Sequence, residues 1–131
     1  MIEDRFACQD LMLASYQAVD EGNASIVAEM FTEDGLFVIE GNLKLQGRNH
    51  LLPFFKTREE NRERVTLHVL SNLIYSRSSD TESAINALLQ MYLISGDQPL
   101  ALQAFARVAD SYRSEAGQYR IASRITTVIA S

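Results

Sequence analysis

Tryptophan is absent from the chain, cysteine occurs once, and proline and histidine occur twice each. A lone cysteine, Cys8, rules out an internal disulfide, so the fold must rest on buried apolar area. Its four-residue spacing from Met12 suggests burial on a helix, and no neighbour that would activate the thiol is evident. Two histidines and one cysteine set far apart have no metal-ligand spacing, so no metal site is expected. There is no glycine-rich phosphate loop and no nucleophile-elbow sequence, and no cofactor is expected. No apolar run approaches the roughly 20 residues of a membrane span, and the opening "MIEDRFACQD" is acidic rather than signal-like. No membrane partner is therefore expected, and a cytoplasmic setting is. A basic excess is lacking too: 12 Lys and Arg face 17 Asp and Glu, a formal charge of −5. That balance argues against nucleic acid, whose phosphates need a basic surface. In the local cluster "KTREENRER", residues 56–64, glutamates interleave with the arginines, which predicts a solvated helix face carrying pairs at three- and four-residue spacing.

What is present is an ordinary globular composition, 47% hydrophobic and 22% charged over 131 residues. That length suits one domain spanning 1–131, large enough to bury about two-thirds of its unfolded surface. No linker, repeat or low-complexity stretch interrupts it. Ile2, Phe6, Leu13, Tyr16 and Asp20, with Met12 and Val19 beside them, predict an amphipathic helix over 3–20 that ends at "DEGN". Asn23 then suits the cap of a second helix with Ile26, Val27, Met30 and Phe31 inward. "LFVIE" and "LKLQ" flank the turn residues Gly41 and Asn42 as a hairpin. A third helix is expected from near Asn49, with Pro53 in its first turn, Leu51, Leu52, Phe54 and Phe55 inward, and His50 at the surface or in packing. Four long strands follow at about 65–77, 82–95, 101–114 and 118–130. The turn formers "SRSSD", "SGDQP" and "EAGQ" separate them, and such short connections imply antiparallel neighbours. The expected fold is α+β: a cone in which three helices pack on a curved, mainly antiparallel sheet and enclose a pocket.

Within "RVTLHVLSN", residues 64–72, strand alternation puts Thr66, His68, Leu70 and Asn72 on one face and Val65, Leu67 and Val69 on the other. A histidine there can be a packed side chain with a satisfied ring, or a base pointing into a cavity. Asp20 lies four residues after Tyr16 and seven after Leu13, on the face the first helix is expected to bury. A buried carboxylate needs a partner, and His68 is the most economical one. A carboxylate accepting from one ring nitrogen fixes the tautomer and leaves the other nitrogen as a base. The structural alternatives are a His68 that merely ties helix to sheet and an Asp20 that ends its helix in water. Tyr16 can donate to a developing oxyanion or serve as core. Leu13, Phe54 and Leu70 are the apolar candidates for the pocket wall. Asp110, sharing a face with Ala106, Val108 and Tyr112, can be an acid in the pocket or the cross-strand partner of Arg124, and the pair is the simpler reading.

The run "ACQDLMLASYQAVD", then "FTEDGLFVIEG", "RVTLHVLSN" and "ADSYRSEAGQYRIASR", resembles the SnoaL-like branch of the nuclear-transport-factor-2-like superfamily over nearly the whole chain. The resemblance implies the α+β cone and a homodimer formed through the sheet. It is similar to lindane dehydrochlorinase in "QDL" on the first helix, an aspartate near that helix's end and a histidine after the third helix. Scytalone dehydratase and bile-acid dehydratase are relatives with comparable pairs. By that likeness Asp20 orients His68, which abstracts a proton. The match to ketosteroid isomerase is poorer: Ile39 falls where its base aspartate stands, with Glu40 on the opposite strand face. Its tyrosine aligns nearer Ser15 than Tyr16, whereas its oxyanion-hole acid matches Asp110. Two function classes are therefore expected. One is a cofactor-free lyase or isomerase, dehydratase-like, acting on a small hydrophobic organic molecule through His68 and Asp20. The other is a module of the same fold that binds a ligand or docks a subunit without catalysis.

Overall fold

In the computed structural model, which describes residues 2–131, the chain runs helix, short helices, hairpin, helix, then four long strands. Helix α1 (Ile2–Asp20) is followed by a 3-10 turn (Ala24–Ile26), a one-turn α2 (Val27–Met30), strands β1 (Phe31–Ile39) and β2 (Leu43–Gln46), and α3 (Arg48–Glu60). Strands β3 (Val65–Arg77), β4 (Glu82–Ile94), β5 (Ala101–Glu115) and β6 (Gln118–Ala130) complete it. The six strands form one sheet in the order β2-β1-β6-β5-β4-β3. Every neighbouring pair is antiparallel except β1 and β6. With β2 and β3 as free edges the sheet curves without closing. This is the α+β cone expected from the sequence.

Sequence pattern explains most of it, with informative exceptions. In α1 the residues turned to the sheet are Cys8, Met12 and Tyr16, a row at four-residue spacing that continues to Asp20. The expected face is thus rotated. Ile2, Phe6 and Leu13 are exposed, because Leu13 sits about 100° around the helix from Met12. The Asn23 side chain makes no capping bond with a described residue, and instead of a regular second helix the chain takes one 3-10 turn and one α turn. Val27 from this segment is buried while Ile26 is exposed, and Phe31 belongs to β1, which begins five residues before "LFVIE". Helix α3 starts one residue earlier than expected, because Gly47 at φ 90° takes the N-cap and accepts from the amides of His50 and Leu51. Pro53 consequently stands in the second turn, where it removes one helical hydrogen bond.

The core lies between the helices and the inner face of the sheet. Phe31, Phe37, Phe54 and Phe55 form a cluster with ring centroids 5.2–6.4 Å apart, which joins α3 to β1. Ile85, Leu89, Ala106, Val108, Tyr112 and Ile121 supply the inner face of the sheet beneath α1. The outer face of β3 is also apolar, with Val65, Leu67 and Val69 exposed there. No helix among the described residues is long and apolar enough to cross a membrane.

The β5–β6 hairpin closes through Ala116 and Gly117, at φ 52° and 78°, beyond the paired Glu115 and Gln118. Two left-handed residues make this a turn that prefers Asn-Gly, and an alanine there is strained by about 1–2 kcal/mol. Replacing Ala116→Asn should therefore raise stability by about 0.5–1 kcal/mol, read as a higher midpoint of urea unfolding with an unchanged slope. A lower midpoint would show that the turn is not strained.

Candidate functional site

Asp20 closes α1 and reaches β3 across 46 to 48 positions of sequence. Its Oδ1 lies 2.6 Å from His68 Nδ1 and accepts from the Thr66 hydroxyl at 2.9 Å, while its Oδ2 accepts from the His68 backbone amide at 2.7 Å. Thr66 and His68 can share one carboxylate because they point to the same face of the strand. Arg58 of α3 extends the chain by donating to the Thr66 hydroxyl at 3.1 Å. Burial raises the Asp20 pKa, but the bonds from the His68 ring and amide, the histidine's charge and Thr66 outweigh it, so the carboxyl lies below its ordinary range. An ionised Asp20 accepts only, which places the Nδ1 proton between the two groups. Nε2 makes no hydrogen bond with any described residue, and the ring lines a cavity.

That cavity holds about 290 Å³ between α1, α3 and the inner sheet face. Phe37, Phe54, Leu89, Met91 and Val128 supply its apolar wall, and Ser15 and Arg124 its closed end. The polar groups that reach it are Tyr16, Thr126, His68 and three arginines, Arg58, Arg64 and Arg124. Tyr16 stacks between two of them, its ring 5.1 Å from the His68 ring and 4.4 Å from the Arg124 guanidinium. Burial pushes the Tyr16 hydroxyl up to about 12, against the opposing charge of Arg124, so it remains a donor at neutral pH.

Beneath the cavity, Arg124 and Asp110 form a two-pronged pair, Nε to Oδ1 at 2.8 Å and Nη2 to Oδ2 at 2.7 Å, from directly opposed positions of β6 and β5. Tyr112 donates to the same carboxylate at 2.6 Å. Burial works against the Arg124 charge, but Asp110 more than compensates and its pKa is raised. Its Nη1 makes no hydrogen bond with any described residue and, like the Nε2 of His68, is available to a molecule in the cavity.

Of the residues singled out in the sequence, Tyr16, Phe54 and His68 line this cavity, and Asp20 stands behind His68. Leu13 and Leu70 do not line it; they border a separate groove between α1 and β3. Leu13 is carried there by the rotation of the buried helix face, and Leu70 by its position two residues farther along β3. Asp110 is sealed below Arg124, with no side-chain surface exposed, and is not an acid in the cavity. The "KTREENRER" segment holds no three- or four-spaced ion pairs among the described residues. Glu59 accepts from the Ser25 amide and hydroxyl, Arg62 donates to the Gly22 carbonyl, and Arg58 and Arg64 turn to the cavity. The periodicity that suggested pairs instead ties α3 to the chain after α1. Cys8 is fully buried, and burial pushes its thiol up to about 11 despite a hydrogen bond with Ser83. Among the described residues no three His, Cys, Asp or Glu side chains converge.

Residues 1–125 match the SnoaL-like domain, and the chain belongs to that family. A candidate scytalone dehydratase from Novosphingobium aromaticivorans superposes with a TM-score of 0.85 at 18% identity, over 97% of this chain and 85% of its own. An NTF2-like protein of cystatin-like fold from the same organism gives 0.86 at 15% identity, over 98% and 83%. A Catenulispora acidiphila protein solved in complex with S-DNPA gives 0.84 at 21% identity, over 98% and 95%. At such identities the likeness is one of fold. No curated protein matches the chain in sequence.

The depressed pKa of Asp20 has a sign that can be tested. Its stabilising effect is fully present above the unfolded value of about 3.9 and is lost as pH falls through the lower folded value. Asp20→Asn should cost about 2 kcal/mol at neutral pH, and the gap in Tm to the unsubstituted protein should narrow below about pH 4. Melting curves between neutral and acid pH check this; a gap that stays constant would show that Asp20 is not held ionised by β3.

Proposed function

We propose that this protein is a cofactor-free lyase or isomerase that takes a proton from a carbon acid within a small hydrophobic organic molecule. The observation that carries the reading is the His68 ring, anchored through Nδ1 to Asp20 at 2.6 Å, with Nε2 unengaged beside a largely apolar cavity. In this scheme Nε2 removes a proton next to an electron-withdrawing carbonyl, and the C–H electron pair moves onto the carbonyl oxygen as an enolate. Arg124 Nη1 and the Tyr16 hydroxyl are the donors that stabilise that oxygen. Collapse of the enolate then expels a β-hydroxyl, which takes the proton from His68 and leaves as water. In an isomerisation the proton returns to another carbon. Asp20 is a positioning residue: it holds the tautomer and offsets the imidazolium charge. A cavity of about 290 Å³ is roughly twice the 150 Å³ that holds one benzene, so it suits a one- or two-ring molecule. The complex of the Catenulispora relative with S-DNPA favours a small organic ligand here too.

A base in an apolar cavity should open 5-nitrobenzisoxazole, a probe that reports proton abstraction from carbon by a rise in absorbance. His68→Ala should lower that rate by about a hundred- to ten-thousand-fold, equivalent to about 3–5 kcal/mol in barrier. A rate equal to that of the unsubstituted protein would remove His68 from the chemistry and leave ligand binding as the function.

We further propose that two copies pair through the outer face of the sheet. Val65, Leu67, Val69 and, two-thirds exposed, Ile74 support this, beside an open groove of about 470 Å³ lined by Leu88 and Ile125. Light scattering coupled to size-exclusion chromatography should give twice the 14.7 kDa chain mass, and Ile74→Asp should shift it to the single mass. A single mass for the unsubstituted protein would refute the pairing.

A further inference from the structure

The charge of the cavity runs against that of the molecule. The chain has five more acidic than basic residues, yet among the described residues no Asp or Glu lines the cavity, whereas three arginines do. Arg124, at the closed end, is neutralised by Asp110. Arg58 and Arg64 are not neutralised in this way. Arg58 donates only to the Thr66 hydroxyl and, at 3.5 Å, to the Asn61 carbonyl, and neither it nor Arg64 forms an ion pair with a described residue. Arg64 is exposed and Arg58 half-buried, so both stand where the cavity opens to water. Burial and the nearby charge of Arg64 both weaken the hold of Arg58 on its proton, with only Asp20 opposing them. Two like charges converge on the rim of an apolar cavity, and the carboxylate that acts on Arg58, that of Asp20, is already bonded to His68 and Thr66.

We infer that the ligand is an organic acid, whose apolar ring body lies among Phe37, Phe54, Leu89 and Met91 and whose carboxylate sits at the mouth between Arg58 and Arg64. This deepens the proposed function by naming the substrate class, and it rests on the same cavity. The mouth suits the carboxylate better than the closed end for two reasons. A carboxylate beside Arg124 would meet the negative charge of Asp110 and lose all its water. One between Arg58 and Arg64 keeps part of its hydration and can take paired guanidinium hydrogen bonds. The arrangement also sets the direction of entry, ring first, which presents the ring to His68 and leaves the charge outside.

Calorimetric titration with 2-naphthoate and with methyl 2-naphthoate tests the inference, because the two probes share a ring body and differ in charge. The acid should bind about tenfold more tightly at low salt, and the difference should shrink as salt is added. Arg64→Gln should reduce the preference and Arg58→Gln combined with Arg64→Gln should abolish it. Far-ultraviolet circular dichroism checks that the variants fold, and Arg64→Gln, at an exposed position, serves alone if the double variant does not. His68→Ala should keep the preference, which separates this inference from the proposed chemistry. An acid preference without His68-dependent opening of the benzisoxazole sinks only the chemistry. Equal binding of the two probes, no binding of the acid, or a preference that survives the arginine replacements sinks the inference.

Discussion

The arrangement depends on one carboxylate. Asp20, the last residue of α1, engages the ring and amide of His68 and the hydroxyl of Thr66, and so joins the end of a helix to the edge strand of the sheet. An edge strand has hydrogen-bonding neighbours on one side only, and its side chains are held less firmly than those of a central strand. Here the helix supplies a restraint of its own, at Thr66 and His68. The same three bonds tie the C-terminal end of α1 to β3 beside the cavity.

Deeper in, a second charged pair takes the opposite role. Asp110 and Arg124 are directly opposed on adjacent strands, fully buried, and joined by two hydrogen bonds, with Tyr112 completing the carboxylate. A buried pair of this kind contributes little net stability. What it supplies is a fixed guanidinium at the closed end of an apolar chamber, with one nitrogen left over. The two pairs lie on either side of the Tyr16 ring, and both the His68 ring and the Arg124 guanidinium line the cavity.

How much of this was legible in the sequence varied with the range of the interaction. Strand alternation and turn residues are local, and the limits of β3 and β6 follow from them to the residue. The meeting of Asp20 and His68 was legible because a carboxylate on a buried helix row has few economical partners. Leu13 was misplaced because a face inferred from apolar spacing alone is uncertain by one position, about 100° of rotation. Only packing against the sheet settles it, on the row Cys8, Met12 and Tyr16. Arg58 and Arg64 were hidden for a related reason. Among alternating charges each arginine has a nearby glutamate as nominal partner, and only the tertiary fold reveals that Glu59 is committed to Ser25.

The curvature that makes the chamber has its own source. Four of the five strand pairings contain a slip in register, including the one at Ser71 and Ile74, where Asn72 takes φ 54°. Each slip bends the main chain without calling on any particular inward side chain. The shape of the vessel is thus written in the backbone, while its inner surface is free to be rewritten. A fold built this way can exchange most of its residues and keep the same contour, as structures only 15–21% identical to this chain do.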